Sequence, residues 1–169
     1  MKRVVSAFFC LLIVCAATAV VFAKGTTTRI TITGVQLQNP IEISDPAILK
    51  NFNVWSGAGT FLNGREGSEG FIVDWASGVV ADPPIQLRTF KVSFYVRYAN
   101  RPFNEQTDQL AYIVSYAVDS ETGQGYVYLP GKSDEFYGLN TKAIHRGREG
   151  NWFLASAAWQ SAFKNAVHG

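Results

Sequence analysis

Between residues 88 and 130, hydrophobic and polar side chains alternate with the two-residue period of a β-strand. Phe90, Val92, Phe94, Val96 and Tyr98 fall on one face, and Lys91, Ser93, Tyr95 and Arg97 fall on the other. A second run follows, with Leu110, Tyr112, Val114, Tyr116 and Val118 on one face and Ala111, Ile113, Ser115 and Ala117 on the other. Both of its faces are largely apolar, as in a central strand covered on two sides. Residues 119–125 are dense in turn formers, and Tyr126-Val127-Tyr128-Leu129 returns before Pro130-Gly131 stops it. Two β-type runs around a short polar, glycine-containing loop predict a hairpin.

The same logic extends outward. Residues 29–33 alternate and are β-branched, residues 34–39 turn, and residues 40–43 return, so that Ile30 and Ile32 can share a buried face with Ile41 and Ile43. Asp45-Pro46 predicts the start of a short helix, with the carboxylate capping a free backbone N–H and proline at the first helical position. Residues 54–70 are glycine-rich and predict a long loop pinned by Trp55 and Phe61. Residues 71–75 read as a strand, residues 141–145 as a short strand, and residues 151–154 as a returning segment. Trp159, Ala162, Phe163, Ala166 and Val167 recur at spacings of three and four, which predicts an amphipathic C-terminal helix capped by Ser156 and packed on the sheet through Trp159 and Phe163. The expected fold class is α+β: a mainly antiparallel sheet of about six or seven strands with one short helix and this C-terminal helix.

The first 23 residues stand apart from this domain. Lys2 and Arg3 precede an almost uninterrupted apolar run from residue 4 to residue 22, and Ala23 offers a small residue before Lys24. That layout predicts a secretory signal peptide, with residues 24–169 as a single globular domain. The run approaches the roughly 20 residues that span a bilayer, so an uncleaved anchor through residues 4–23 is the alternative. Both cysteines, Cys10 and Cys15, lie in this segment, and the remaining domain can form no disulfide or thiolate site. Removing the segment also removes Lys2 and Arg3 from a chain with 15 basic and 13 acidic residues, leaving 13 of each. The surplus of positive charge therefore belongs to the leader and gives no footing for nucleic-acid binding. The expected location is extracytoplasmic: secreted, periplasmic or at the cell surface.

The segment Gly125-Tyr126-Val127-Tyr128-Leu129-Pro130-Gly131, then Phe136-Tyr137-Gly138-Leu139-Asn140, then Arg146, Trp152 and the stretch from Ala155 to Trp159, resembles the C-terminal half of a family of uncharacterised exported bacterial proteins. The resemblance spans residues 112–159. It implies a bacterial, extracytoplasmic protein and carries no activity with it.

Candidate chemistry is sparse. No Gly-x-Ser-x-Gly elbow, phosphate-binding glycine loop, His-x-x-x-His pair or calcium loop occurs, so no cofactor or metal is expected. His145 is the one histidine away from the C-terminus, and it stands beside Arg146. Asp74, next to Trp75, is the acid most open to desolvation, and Glu105 lies in a polar loop with Asp108. A carboxylate hydrolase would need two such acids to converge. Tyr95 shares its face with Lys91 and Arg97, which suits a glycan, an acidic ligand, a peptide or an envelope protein. The expected function is a non-enzymatic exported module that binds or builds at the cell envelope. The alternatives are an envelope hydrolase acting through Asp74 and Glu105, and a partner or inhibitor protein that adds a strand to a sheet edge. Gly-Arg-Glu-Gly occurs at residues 64–67 and 147–150, and its flanking residues do not match.

Overall fold

The computed structural model describes residues 25–62, 64–99 and 107–168. The leader at residues 1–23 and Glu105 therefore lie outside the described residues. Among these, the strands are β1 (Thr26–Thr33), β2 (Ile41–Ile43), β3 (Phe61–Leu62), β4 (Arg65–Glu66), β5 (Val79–Val80), β6 (Leu87–Arg97), β7 (Gln109–Asp119), β8 (Gly125–Tyr128) and β9 (Trp152–Leu154). The helices are α1 (Pro46–Leu49), α2 (Tyr137–Ala143) and α3 (Ala157–His168). Seven strands form one sheet in the order β2-β1-β6-β7-β8-β9-β5, every pairing antiparallel, and β3 and β4 form a separate small hairpin. The fold is α+β with a mainly antiparallel sheet.

The two long alternating runs, β6 and β7, form the centre of the sheet, as their patterns require. Ile30, Phe94 and Tyr112 line up across three strands, and so do Ile32, Val92 and Val114; all six are buried on one face. Two covers share that face. α3 takes one part, with Trp159 edge-on to Phe52 and Tyr116, and Phe163 against Phe90 and Tyr116 at 4.9 and 4.7 Å. The Trp159 amide donates to the Ser156 hydroxyl, the expected cap. The rest is covered by the long loop before β5, through Phe71 tilted against Phe94 and edge-on to Tyr112. α1 begins as its residues dictate, the Ala47 amide donating to Asp45 Oδ1 at 2.8 Å and Pro46 following.

Three local expectations are corrected. Residues 71–75 are not a strand: Phe71 adopts φ 67°, turning the chain, and Val73 makes only an isolated bridge to Ala155. Its apolar run is core material carried on a turn. Residues 141–145 are not a strand either, because α2 runs through residue 143. Asn140 explains that choice. β8 leaves the sheet after Tyr128 pairs with Ser115, so the backbone of Ile113 loses its neighbour. The fully buried Asn140 replaces it, Oδ1 accepting from Ile113 N at 2.7 Å and Nδ2 donating to Ile113 O at 2.6 Å. Leu110 does not share the face of Tyr112: a bulge leaves Ala111 unpaired, so that Leu110 pairs with Tyr95 and is partly exposed. Residues 79–80 form the edge strand β5, paired with β9.

Candidate functional site

The singled-out positions that lie among the described residues fall in separate places. Lys91, Tyr95 and Arg97 lie on the face of β6 opposite α3, and each is engaged. The Arg29 guanidinium stacks 3.9 Å from the centre of the Tyr95 ring while pairing with Glu42 at 3.3 Å. Arg97 pairs with Asp108 at 2.7 Å, and Lys91 Nζ lies 5.7 Å from the Phe136 ring. Asp74 closes its own turn: it accepts from Ser77 Oγ at 2.7 Å and from the Ala76 amide at 3.1 Å. The Ser77 hydroxyl bond holds its carboxyl below the usual range, the reverse of the raised pKa a general acid needs. Asp119 is closed in the same way by Thr122 and Glu121, and its carboxyl is likewise held low, by the Thr122 hydroxyl first. His145 is exposed, 3.7 Å from a Glu149 carboxylate oxygen and edge-on to Tyr137. Among the described residues no group of three or more His, Cys, Asp or Glu is placed to hold a metal ion.

The residue beside His145 organises one end of the molecule. Arg146 is 4 % exposed, in a charged glycine turn that reads as surface. Its guanidinium donates to the carbonyls of Ser56 and Ala58 at 2.9 Å each, and to that of Val54. Phe71, Trp75 and Tyr112 surround it, with ring centres 4.9, 5.3 and 5.7 Å away. The largely buried Glu149 carboxylate closes the turn from the other side, accepting from the amides of Arg146 and Arg148. Burial pulls the Arg146 pKa down, and the charges of Tyr112 and Glu149 pull against it. The Tyr112 hydroxyl is buried with no hydrogen bond among the described residues; burial pushes its pKa up, and Arg146 draws it partway back. The glycines of the loop permit this approach. Gly59 has φ 76°, and a Cβ there would lie 2.5 Å from Arg146 Cα.

The two Gly-Arg-Glu-Gly tetrapeptides meet on this loop. Glu66 Oε1 accepts from the Gly59 amide at 2.8 Å, while the second copy follows Arg146 directly. Glu66 and Gly67 from the first copy and Arg148 from the second line a cleft of about 320 Å³ with Glu69 and Trp75. The cleft is open, and the Trp75 indole N–H is already given to the Gly70 carbonyl at 2.9 Å.

The larger concavity lies between α3 and the sheet. It is a groove of about 490 Å³ whose floor is built from Phe90, Tyr116, Phe163 and Val167. Arg88 and Lys164 stand at its rim, one on β6 and one on α3, both exposed and neither in an ion pair among the described residues. No acidic side chain lines it. The Tyr116 side chain is 1 % exposed and its hydroxyl makes no hydrogen bond among the described residues; burial pushes its pKa up to about 12, so it stays neutral. The sequence does carry a trace of this site. Arg88 occupies the register that Phe90, Val92, Phe94 and Val96 devote to the core, with Val118 as its cross-strand partner, so a cation stands where the pattern calls for an apolar residue. Arg146, in contrast, leaves no such trace. Comparison with family models, with curated proteins and with solved structures finds no match for this chain.

Proposed function

We propose that this protein is an exported, non-enzymatic binding module of the bacterial cell envelope, and that its ligand sits in the groove between α3 and the sheet. Export is supported by the charged, then apolar, then small-residue layout of residues 1–23, and a bacterial envelope setting by the family resemblance over residues 112–159. Binding is supported by one observation above the others: an apolar floor of ligand size beneath two cations, with no acidic side chain on the lining. The volume falls within the roughly 300–1,000 Å³ typical of small-molecule sites. Catalysis has less to stand on, since the groove holds no histidine and no carboxylate. The test is titration with a neutral, environment-sensitive apolar dye, on the protein and on Ser161→Trp, which fills the groove from the exposed face of α3. Dye fluorescence should rise and saturate with the protein and fall away with the variant. Equal binding by both would sink the reading.

One observation favours the hydrolase alternative at a different place. Glu66 and Glu69 line one cleft with Trp75, an arrangement suited to a sugar ring between acids and an indole. Asp74 does not line it. Turnover of an envelope polysaccharide that Glu69→Gln abolishes and Asp74→Asn spares would favour this reading over the groove.

A further inference from the structure

The groove has a polarity that the binding reading alone does not use. Along β6 the buried register runs Val96, Phe94, Val92, Phe90 and then Arg88. α3 runs the same way, since Trp159 contacts Phe94 and Phe163 contacts Phe90. Lys164 and Val167 therefore come toward the Arg88 end of the sheet. The greasy floor thus leads to one end, where two cations from separate elements face the mouth. Among the described residues neither cation is in an ion pair, and both stand on the lining of the groove. A charge beside a low-dielectric wall attracts its counter-ion more strongly than it would in free water. Long basic side chains also lie along apolar surface with their heads in water, which suits a ligand built the same way.

Resting on the reading of the groove as a binding site, we infer that its ligand is a single-chain amphiphile with an anionic headgroup, of which a fatty carboxylate is the simplest example. The chain lies on Phe90, Tyr116, Phe163 and Val167, and the headgroup sits between Arg88 and Lys164. A cationic amphiphile is disfavoured by the same two charges. A sugar is disfavoured because it would bring many hydroxyls to a floor that offers few partners. On the lining, Gln160 already gives its amide N–H to the Ala155 carbonyl and takes the Gly125 amide.

The test is calorimetric titration of the protein as recovered from cells with decanoate and with decanol, each below its aggregation concentration, together with Arg88→Gln, Lys164→Gln and Ser161→Trp. Decanoate should bind at least tenfold more tightly than decanol. Each added methylene should tighten carboxylate binding about fourfold until the groove is full. Either glutamine variant should shrink the carboxylate-over-alcohol preference about tenfold, and both sites are exposed, so the fold should hold by circular dichroism. Equal binding of decanoate and decanol that Ser161→Trp abolishes overturns the anionic headgroup and leaves the groove reading standing. Binding of neither ligand by folded protein overturns both. Decanoate binding that survives all three substitutions places the anion elsewhere and overturns the assignment.

Discussion

Replacing Arg146 by methionine should be among the most damaging single substitutions this protein can suffer. Three backbone carbonyls, of Val54, Ser56 and Ala58, depend on that guanidinium, and all belong to the segment that covers part of the sheet. Each hydrogen bond from a charged donor contributes about 1.5–3 kcal/mol, and each buried group left unpaired costs about 1–3 kcal/mol. The desolvation that burial imposes on the cation offsets part of this. A net loss of about 4 kcal/mol is therefore expected, against a total stability of about 5–15 kcal/mol. Urea unfolding followed by tryptophan fluorescence reads the loss as a lower midpoint. Amide exchange at residues 54–60 should quicken more than exchange in β6 and β7. Arg146→Lys should lose about half as much, since an ammonium cannot bond three diverging carbonyls as the planar fork does. A double substitution, Arg146→Met with Glu149→Gln, separates two explanations. If the Arg146–Glu149 pair were the source of stability, swapping both for uncharged groups would bring stability back near the wild type. If the carbonyls are the source, the double variant stays as unstable as Arg146→Met. A loss below about 1 kcal/mol for Arg146→Met would refute the carbonyl account outright.

Other predictions follow from single contacts. Asn140→Leu fills the space but leaves the N–H and C=O of Ile113 unpaired, and should cost about 2–4 kcal/mol in urea unfolding; a loss within about 0.5 kcal/mol would mean that water reaches this edge of β7. Gly59→Ala meets both a positive φ and the Arg146 backbone, so its cost should exceed the roughly 1 kcal/mol of the dihedral alone, and exchange at residues 54–60 should report it. The Tyr116 pKa of about 12 in the folded state lies above that of the unfolded chain, so its contribution is complete below about pH 10 and disappears as pH rises toward 12. The wild type should lose up to about 2.7 kcal/mol across that window relative to Tyr116→Phe, with the two nearly equal at neutral pH because the hydroxyl has no hydrogen bond to lose. Asp74 and Asp119 are shifted the other way, so the stability they supply is present above the ordinary carboxylate range and is lost as pH falls through their depressed values; Ser77→Ala should flatten the acid limb of a pH–stability curve.

The sheet was legible because its signal is periodic. The alternation of residues 90–98 and 110–118 states both strand and buried face, and cross-strand partners then fall into place. What the pattern misplaced were positions where one residue departs from the period for a reason held elsewhere in the chain. Ala111 is an extra residue in β7 and moves Leu110 to the other face; nothing in its neighbours marks it. Residues 71–75 are apolar because they are buried, and burial without period does not distinguish a strand from a turn. Residues 137–143 are helical and carry Asn140 to a gap in the sheet 27 positions away in sequence, a relation no local window contains. Arg146 is the extreme case. Its partners lie 88 to 92 residues upstream, and arginine in a glycine turn is everywhere a surface signal. Asp74 and Asp119 each precede turn residues whose hydroxyls and amides consume the carboxylate locally.

The two covers of the sheet face differ in how they are held, and that difference bears on where a ligand can enter. The loop end is tied by directional bonds: three carbonyls to Arg146, the Gly59 amide to Glu66, and the Trp55 indole to the Ala143 carbonyl at 3.2 Å. Moving it by the width of a ligand would break several of these at once. α3 is held to the sheet chiefly by ring contacts through Trp159 and Phe163, with Gln160 bonded to Ala155 and Gly125 near its start. Every one of those anchors lies in the first two turns. Beyond Phe163, the half-buried Ala166 and Val167 pack on the core with no hydrogen bond to the sheet among the described residues. Apolar contacts are non-directional and can slide, whereas hydrogen bonds cannot. The end of α3 that carries Lys164 and Val167 is thus the side of the groove able to yield, and it faces Arg88 on a strand fixed by two neighbours. A groove with one rigid wall and one compliant wall admits chains of several lengths while holding the headgroup in one place. The position of the headgroup should therefore stay fixed while affinity grows with the length of the tail.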